Sequence, residues 1–327
     1  MKELLRAGCE LLTENKNIIS KNFQWDMEMM AITGAVIHTS AGKTVDIERL
    51  KECKKILKKH QGVFSAFRSN MEIPVISKMA ISDDPEGYLI KLLNVYNIMS
   101  KGKIFDSEYM AMAALAICDE SLDGQYEIIS ENTKTLLKMM SKIHPMLTSG
   151  EDTAFAALLS ASGKTFDQII DETEYCYNVM KRKFSYHNNA VQSLSHVLTL
   201  MPGDAQAKCN RVSAIYDALL TKGVTYGKDY ELASLGALVT VDMTPEELAG
   251  EIAEACTFLK GCKGFGDWSL GKKTRAMFAA LLAAQAFSPN SVVMDTSILS
   301  TSLAMVIAEE VCLMCCTMAV VSTSTSN

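Results

Sequence analysis

Residues 163–200 read GKTFDQIIDETEYCYNVMKRKFSYHNNAVQSLSHVLTL, and this stretch decides the fold class. Its first half sets Phe166, Ile169, Ile170, Tyr177, Val179 and Met180 at helical spacing and ends in Lys181, Arg182 and Lys183. Cations there complement the partial negative charge of a helix C-terminus. A short connection, residues 184–187, follows. A second helix then sets Ala190, Val191, Leu194, Val197 and Leu198 on one apolar stripe. Its opposite side carries Asn189, Gln192 and His196. The unit is a helix pair.

The same plan recurs outward in both directions. The apolar residue in each connecting turn is Phe23, Phe64, Phe105, Leu147, Phe184, Tyr226 or Phe265, with successive spacings of 41, 41, 42, 37, 42 and 39. A lysine ends the helix before each turn: Lys21, Lys59, Lys101, Lys142, Lys183, Lys222 and Lys260. A fixed period near 40 predicts an all-α array of about seven antiparallel helix pairs, as an open solenoid or an α/α-toroid-like body. Alanine and glycine crowd the second helices, as in SEYMAMAALAIC (107–118) and SGEDTAFAALLSAS (149–162). Small residues let backbones approach, so the second helices are expected to form an inner layer. Pro85 after Asp83 and Asp84 is a strong helix start.

Composition narrows the partners. Apolar residues make up 48% of the chain, charged residues 21%, and the formal net charge is −6. The Lys and Arg are scattered at helix ends rather than clustered, which argues against nucleic acid. The ten cysteines fall irregularly inside apolar stripes, as reduced buried thiols do. MKELLRAGCELL (1–12) carries charges through its apolar periodicity, unlike a secretory signal, so a cytoplasmic location is expected.

The helical array is expected to occupy residues 1–287, with an apolar appendage at 288–327. Its window Leu303–Val321 could span a bilayer by length but holds Glu309 and Glu310. Each acid costs roughly 2.5–3.5 kcal/mol at the centre against gains of about 0.3–0.6 per strong apolar residue. Insertion loses, so a membrane is not an expected partner; packing on the last pair or self-association is.

Five motifs, ERLKECKKILK (48–58), SGEDTAFAALL (149–159), NAVQSLSHVL (189–198), YGKDYELASLG (226–236) and GFGDWSLGKK (264–273), resemble a bacterial family catalogued as domain of unknown function 4003. The resemblance implies no activity and transfers no catalytic residue.

Candidate chemistry comes from the residues themselves. Asn189, Gln192 and His196, with His187 and Asn188 at the helix start, fall within about a 60° arc, where they could bind a small polar ligand or supply an acid or base. The plainer reading is that they hydrogen-bond adjacent helices or simply face water. Acids recur at second-helix starts: Asp106 and Glu108, Glu151 and Asp152, Asp229 and Glu231. They suit a carboxylate rim, but the helix dipole alone accounts for them. Gly266-x-x-x-x-Gly271-Lys272-Lys273 lacks the Ser or Thr of a phosphate loop; a weaker anion site would use Lys263, Lys272, Lys273 and Arg275. Cys312, Cys315 and Cys316 lack further ligands, so no metal is expected, and no cofactor motif is present. His38, His60 and His144 read as surface or capping residues. The expected function is a binding scaffold using its inner helices for a protein or small ligand; the alternative is an enzyme centred on His196.

Overall fold

The computed structural model describes residues 1–23, 28–63, 65–101, 108–118, 122–288 and 306–307. These residues form α1 (Glu3–Asn22), α2 (Glu28–Ser40), α3 (Ile47–His60), α4 (Glu72–Ile81), α5 (Pro85–Ser100), α6 (Glu108–Ile117), α7 (Tyr126–Ile143), α8 (Thr153–Ser160), α9 (Phe166–Lys183), α10 (Asn188–Leu200), α11 (Ala205–Thr221), α12 (Pro245–Lys260) and α13 (Lys272–Phe287). A 3-10 segment, Tyr230–Leu238, stands between α11 and α12. No strand occurs among the described residues.

Side-chain oxygens start α3, α5, α9, α11 and α12 by accepting from otherwise orphaned backbone N–H groups. Asp46 caps α3 and Asp84 caps α5 just before Pro85, as the sequence predicts. Thr165 with Gln168, and Thr244 with Glu247, form reciprocal capping boxes on α9 and α12. These helices bury one face: Leu50, Cys53 and Leu57 on α3, and Ile169, Cys176 and Met180 on α9. The helices that follow them are buried almost all round. Every residue from Met110 to Ile117 on α6, and from Thr153 to Leu159 on α8, is buried.

Close approach is what the small residues permit. A methyl group on Gly34 would stand 2.5 Å from Ile73 Cγ2, and one on Gly236 would stand 2.5 Å from Val197 Cγ1. The sixth return element, Tyr230–Leu238, is wound as 3-10 rather than as the expected α-helix. Within it Ser234 Oγ bonds back to Glu231 O at 2.5 Å and pairs with Tyr226 OH at 2.5 Å. These local bonds tighten the coil and draw Gly236 onto α10.

Cations close the far ends of the buried elements, where carbonyls lack helical partners. Arg49 donates to Ala80 O at 2.8 Å and Ser82 O at 2.5 Å, beyond α4. Lys164 donates to Thr199 O at 2.6 Å, and the buried Lys208 to Leu198 O and Met201 O at 2.6 and 2.7 Å, closing α10. Glu172 neutralises both ammoniums.

The longer helices pack in succession: α1 on α3, α3 on α5, α5 on α7, α7 on α9, α9 on α11 and α11 on α12. The last of them, α12, packs back on α1, and α13 does so too. Across that junction Lys2 N donates to Glu251 Oε2 at 2.6 Å, the N-terminal amine pairs with Glu254, and Gln285 Nε2 donates to Thr39 O at 3.2 Å. The turn residues Phe23, Phe184, Tyr226 and Phe265 are buried plugs; Phe64 and Phe105 lie outside the described residues. So do Asp106, Cys312, Cys315, Cys316, Glu309 and Glu310. Of the appendage beyond Ser288 only Val306 and Ile307 are described, and both are buried.

Candidate functional site

The candidate residues gather where the buried return elements begin. Here long-range bonds tie each turn to the next. Asn70 Nδ2 donates to Glu108 Oε2 at 3.1 Å, and Tyr109 OH to Glu151 Oε1 at 3.4 Å. Gln192 Nε2 donates to Thr148 Oγ1 at 3.3 Å. His187 Nδ1 lies 3.2 Å from Asp229 Oδ1, and Lys273 Nζ lies 3.4 Å from Asp229 Oδ2. The sequence separations of these links are 38, 42, 44, 42 and 44. They lie close to the spacing of the turns, and the linked residues form a chain of contacts, here called the belt. Tyr109 and Thr148, like the role of Asn70, were not singled out in the sequence, because only the linked partner reveals a half-buried polar residue as part of a belt.

Asp152 ends a 3-10 turn, Gly150–Asp152, and its Oδ2 accepts from Ser149 N at 2.8 Å in a capping box with Ser149. Burial, the largest influence, pushes its carboxyl up to about 6; the Ser149 N–H opposes this and the Glu151 charge adds to it. Glu231 is likewise raised, first by burial and then by the Asp229 charge. A methyl group on Gly227 would stand 2.2 Å from Glu231 Oε2, so a larger residue there would push that carboxyl aside.

Asn189 is exposed, but Gln192 and His196 are buried, which corrects the part of the expectation that had the stripe facing water; Gln192 instead bonds outside its own helix, to Thr148. The reason is tertiary: α8, α9, α11 and the 3-10 segment surround α10. His196 is fully enclosed, with its ring 5.7 Å from that of Phe155. Burial, aided by the His144 charge, lowers its pKa to about 3. Its Nδ1 is 3.7 Å from Asp152 Oδ1, an ion-pair distance, yet burial drives both groups toward neutrality. The contact is therefore a close polar approach rather than a charged pair. Neither His196 nitrogen, nor Gln192 Oε1, nor Asn188 Oδ1 has a hydrogen-bond partner among the described residues. A cavity of about 10 Å³ touches His196, Gln192, Ser195, His144 and Glu174, room for roughly one water.

His38 is also corrected: it is buried rather than on the surface, with its pKa lowered to about 4, first by burial and then by Lys43. It borders a cavity of about 350 Å³ at the opposite end of the helices, with Lys43, Asp46, Arg49 and Asp83. His60 pairs with Glu86 and His144 with Glu174.

The residues of the supposed anion loop divide. Lys263 and Lys272 are exposed, and Lys273 is taken up by Asp229. Arg275 is buried and donates to Phe265 O at 2.8 Å and Asp267 Oδ1 at 2.7 Å, so its guanidinium braces the loop. Among the described residues no group of three His, Cys, Asp or Glu could hold a metal ion, and no helix is long and apolar enough to cross a membrane.

One family model matches this chain over residues 15–311, a span that contains the whole belt. The chain belongs to the family described as "Protein of unknown function (DUF4003)". No curated protein and no solved structure matches it. The family assignment confirms the resemblance carried by the five motifs and adds no chemistry to any residue.

Proposed function

We propose that the chain is a closed α/α toroid of seven helix pairs acting as a bacterial cytoplasmic binding scaffold, with its ligand face on the rim where the return elements begin. The return of α12 and α13 onto α1 supports closure over an open solenoid. The near-40 separation of the belt bonds supports the repeat. Cys9, Cys53, Cys176, Cys209, Cys256 and Cys262 are free, which suits a reducing compartment. The observation that carries scaffold over enzyme is the cavity at His196. It holds about one water, and Asp152, Asn189 and Glu231 are not among its lining residues, so among the described residues this cavity does not gather those polar side chains around a substrate.

The second reading is an enzyme, favoured by the Asp152 carboxyl held near 6, within the range useful for proton transfer. A thermal-shift screen of small polar compounds on the wild type and on Asp152→Asn distinguishes the two. Binding without turnover fits the scaffold. Turnover that Asp152→Asn abolishes in a folded protein replaces it with the enzyme. Closure is checked separately by small-angle scattering, where a compact body of this length has a radius of gyration of about 20 Å. An open solenoid would be distinctly larger.

A further inference from the structure

The turns that precede the return elements carry large apolar side chains at their tips. Trp268 is fully exposed, Met146 and Tyr186 are each 96% exposed, and Val63 is 69% exposed. Three of the tips lie within four residues of a buried one: Phe265 near Trp268, Phe184 near Tyr186, and Ala66 and Phe67 near Val63. The tips are therefore outward projections of anchored turns. Tyr186 is, among the described residues, the one non-glycine residue with positive φ, at 71°. A bulky side chain is rarely held in that conformation, and strain of this kind concentrates at binding positions. The belt bonds place successive turns side by side at one end of the molecule.

Charge is distributed unevenly around that end. Residues 181–189, 222–231 and 260–275 hold ten Lys and Arg against three Asp and Glu, in a chain whose net charge is −6. Some cations are committed: Lys183 to Asp217, Lys273 to Asp229 and Arg275 to Asp267. Arg182, Lys222, Lys263 and Lys272 are exposed, and no ion pair joins them to described residues. This arc contains Tyr186 and Trp268.

We propose that this basic, aromatic-tipped arc docks the protein peripherally on an anionic lipid surface. Tyr and Trp favour the membrane–water interface because their rings are apolar with one polar edge. Lysines and arginines around them are drawn to acidic headgroups. A protein hot spot gathers its aromatics into one central cluster, whereas these tips stand singly on separate turns, an arrangement that meets a flat target. Surface docking needs no spanning helix. The inference uses the belt geometry and is independent of the choice between scaffold and enzyme.

The test is co-sedimentation of the full chain with phosphatidylcholine vesicles, with and without phosphatidylserine. Binding only to the phosphatidylserine vesicles is expected, weakening about tenfold or more at high salt. Tyr186→Ser with Trp268→Ser, both at exposed tips, should abolish it while circular dichroism stays unchanged; Lys263→Glu with Lys272→Glu should do the same. In Trp25→Phe protein the remaining Trp268 fluorescence should shift to the blue on binding. No sedimentation with anionic vesicles at low salt overturns the proposal, as does binding indifferent to both double variants. Binding to soluble polyglutamate but not to vesicles would assign the arc to an acidic protein instead and also overturn it.

Discussion

His196 Nδ1 stands 3.7 Å from Asp152 Oδ1, and burial holds the histidine neutral while raising the acid to about 6. Two residues 44 positions apart, one at the start of α8 and one in the C-terminal half of α10, thus share one desolvated environment. That relationship makes His196 a core residue, with measurable consequences.

His196→Ala should destabilise the protein by about 3 kcal/mol, because it opens a cavity beside Phe155. His196→Leu should cost under about 1 kcal/mol, since neither ring nitrogen gives up a hydrogen bond among the described residues. Urea denaturation compares the two. A Leu variant as weak as the Ala variant would mean that the ring nitrogens bond to a buried water.

The buried histidines set an acid limit on stability. The folded pKa values of His38 and His196, about 4 and about 3, lie below the unfolded value near 6.5. Their neutral forms are favoured on folding, so this stability is complete above pH 6.5 and is lost as pH falls toward 4. Asp152, raised on folding, works in the opposite sense: its burial weakens the fold as pH rises from about 4 through 6. The clean measurement is therefore a difference. Between pH 6.5 and 4.5 the wild type should lose about 2.5 kcal/mol more than His196→Leu, and a similar amount more than His38→Leu. Parallel pH profiles for the wild type and both variants would refute the buried neutral state.

Glu172 balances Lys164 and the buried Lys208 at the end of α10. Removing it in Glu172→Gln leaves an uncompensated buried ammonium and should cost about 3 kcal/mol. Lys208→Met, which removes the buried charge itself, should cost less when made in the Glu172→Gln background than in the wild type. Equal costs in the two backgrounds, read from a double-mutant cycle, would show that the groups do not interact.

Glycines separate into two kinds. Gly236→Ala should cost about 1–3 kcal/mol by overpacking against Val197. Gly250→Ala on α12, where a methyl group meets nothing within 4 Å, should stabilise by about 0.5–1 kcal/mol through helix propensity. Chemical denaturation reads both, and a stabilised Gly236→Ala would contradict the close approach of Tyr230–Leu238 to α10.

The fold class was legible in the sequence because its determinants are local. The 3.6-residue periodicity of Ile169, Tyr177 and Met180, the lysine at each helix end, the Asp84–Pro85 start and the recurrent turn residues all act within one or two turns of chain. Alanine and glycine crowding likewise told which helices would lie deepest. Tertiary structure alone decided the rest. Gln192 and His196 look like a solvated stripe until four neighbouring elements close over α10, since periodicity on one helix cannot show what covers its other faces. The role of Arg275 as a brace depends on Asp267 and on Phe265 O reaching it through the folded loop. The 3-10 winding of Tyr230–Leu238 follows from Ser234 and Tyr226 meeting over Glu231. The return of α12 and α13 onto α1 joins residues about 250 apart, so it depends on a small rotation accumulated over every pair, which no local segment encodes.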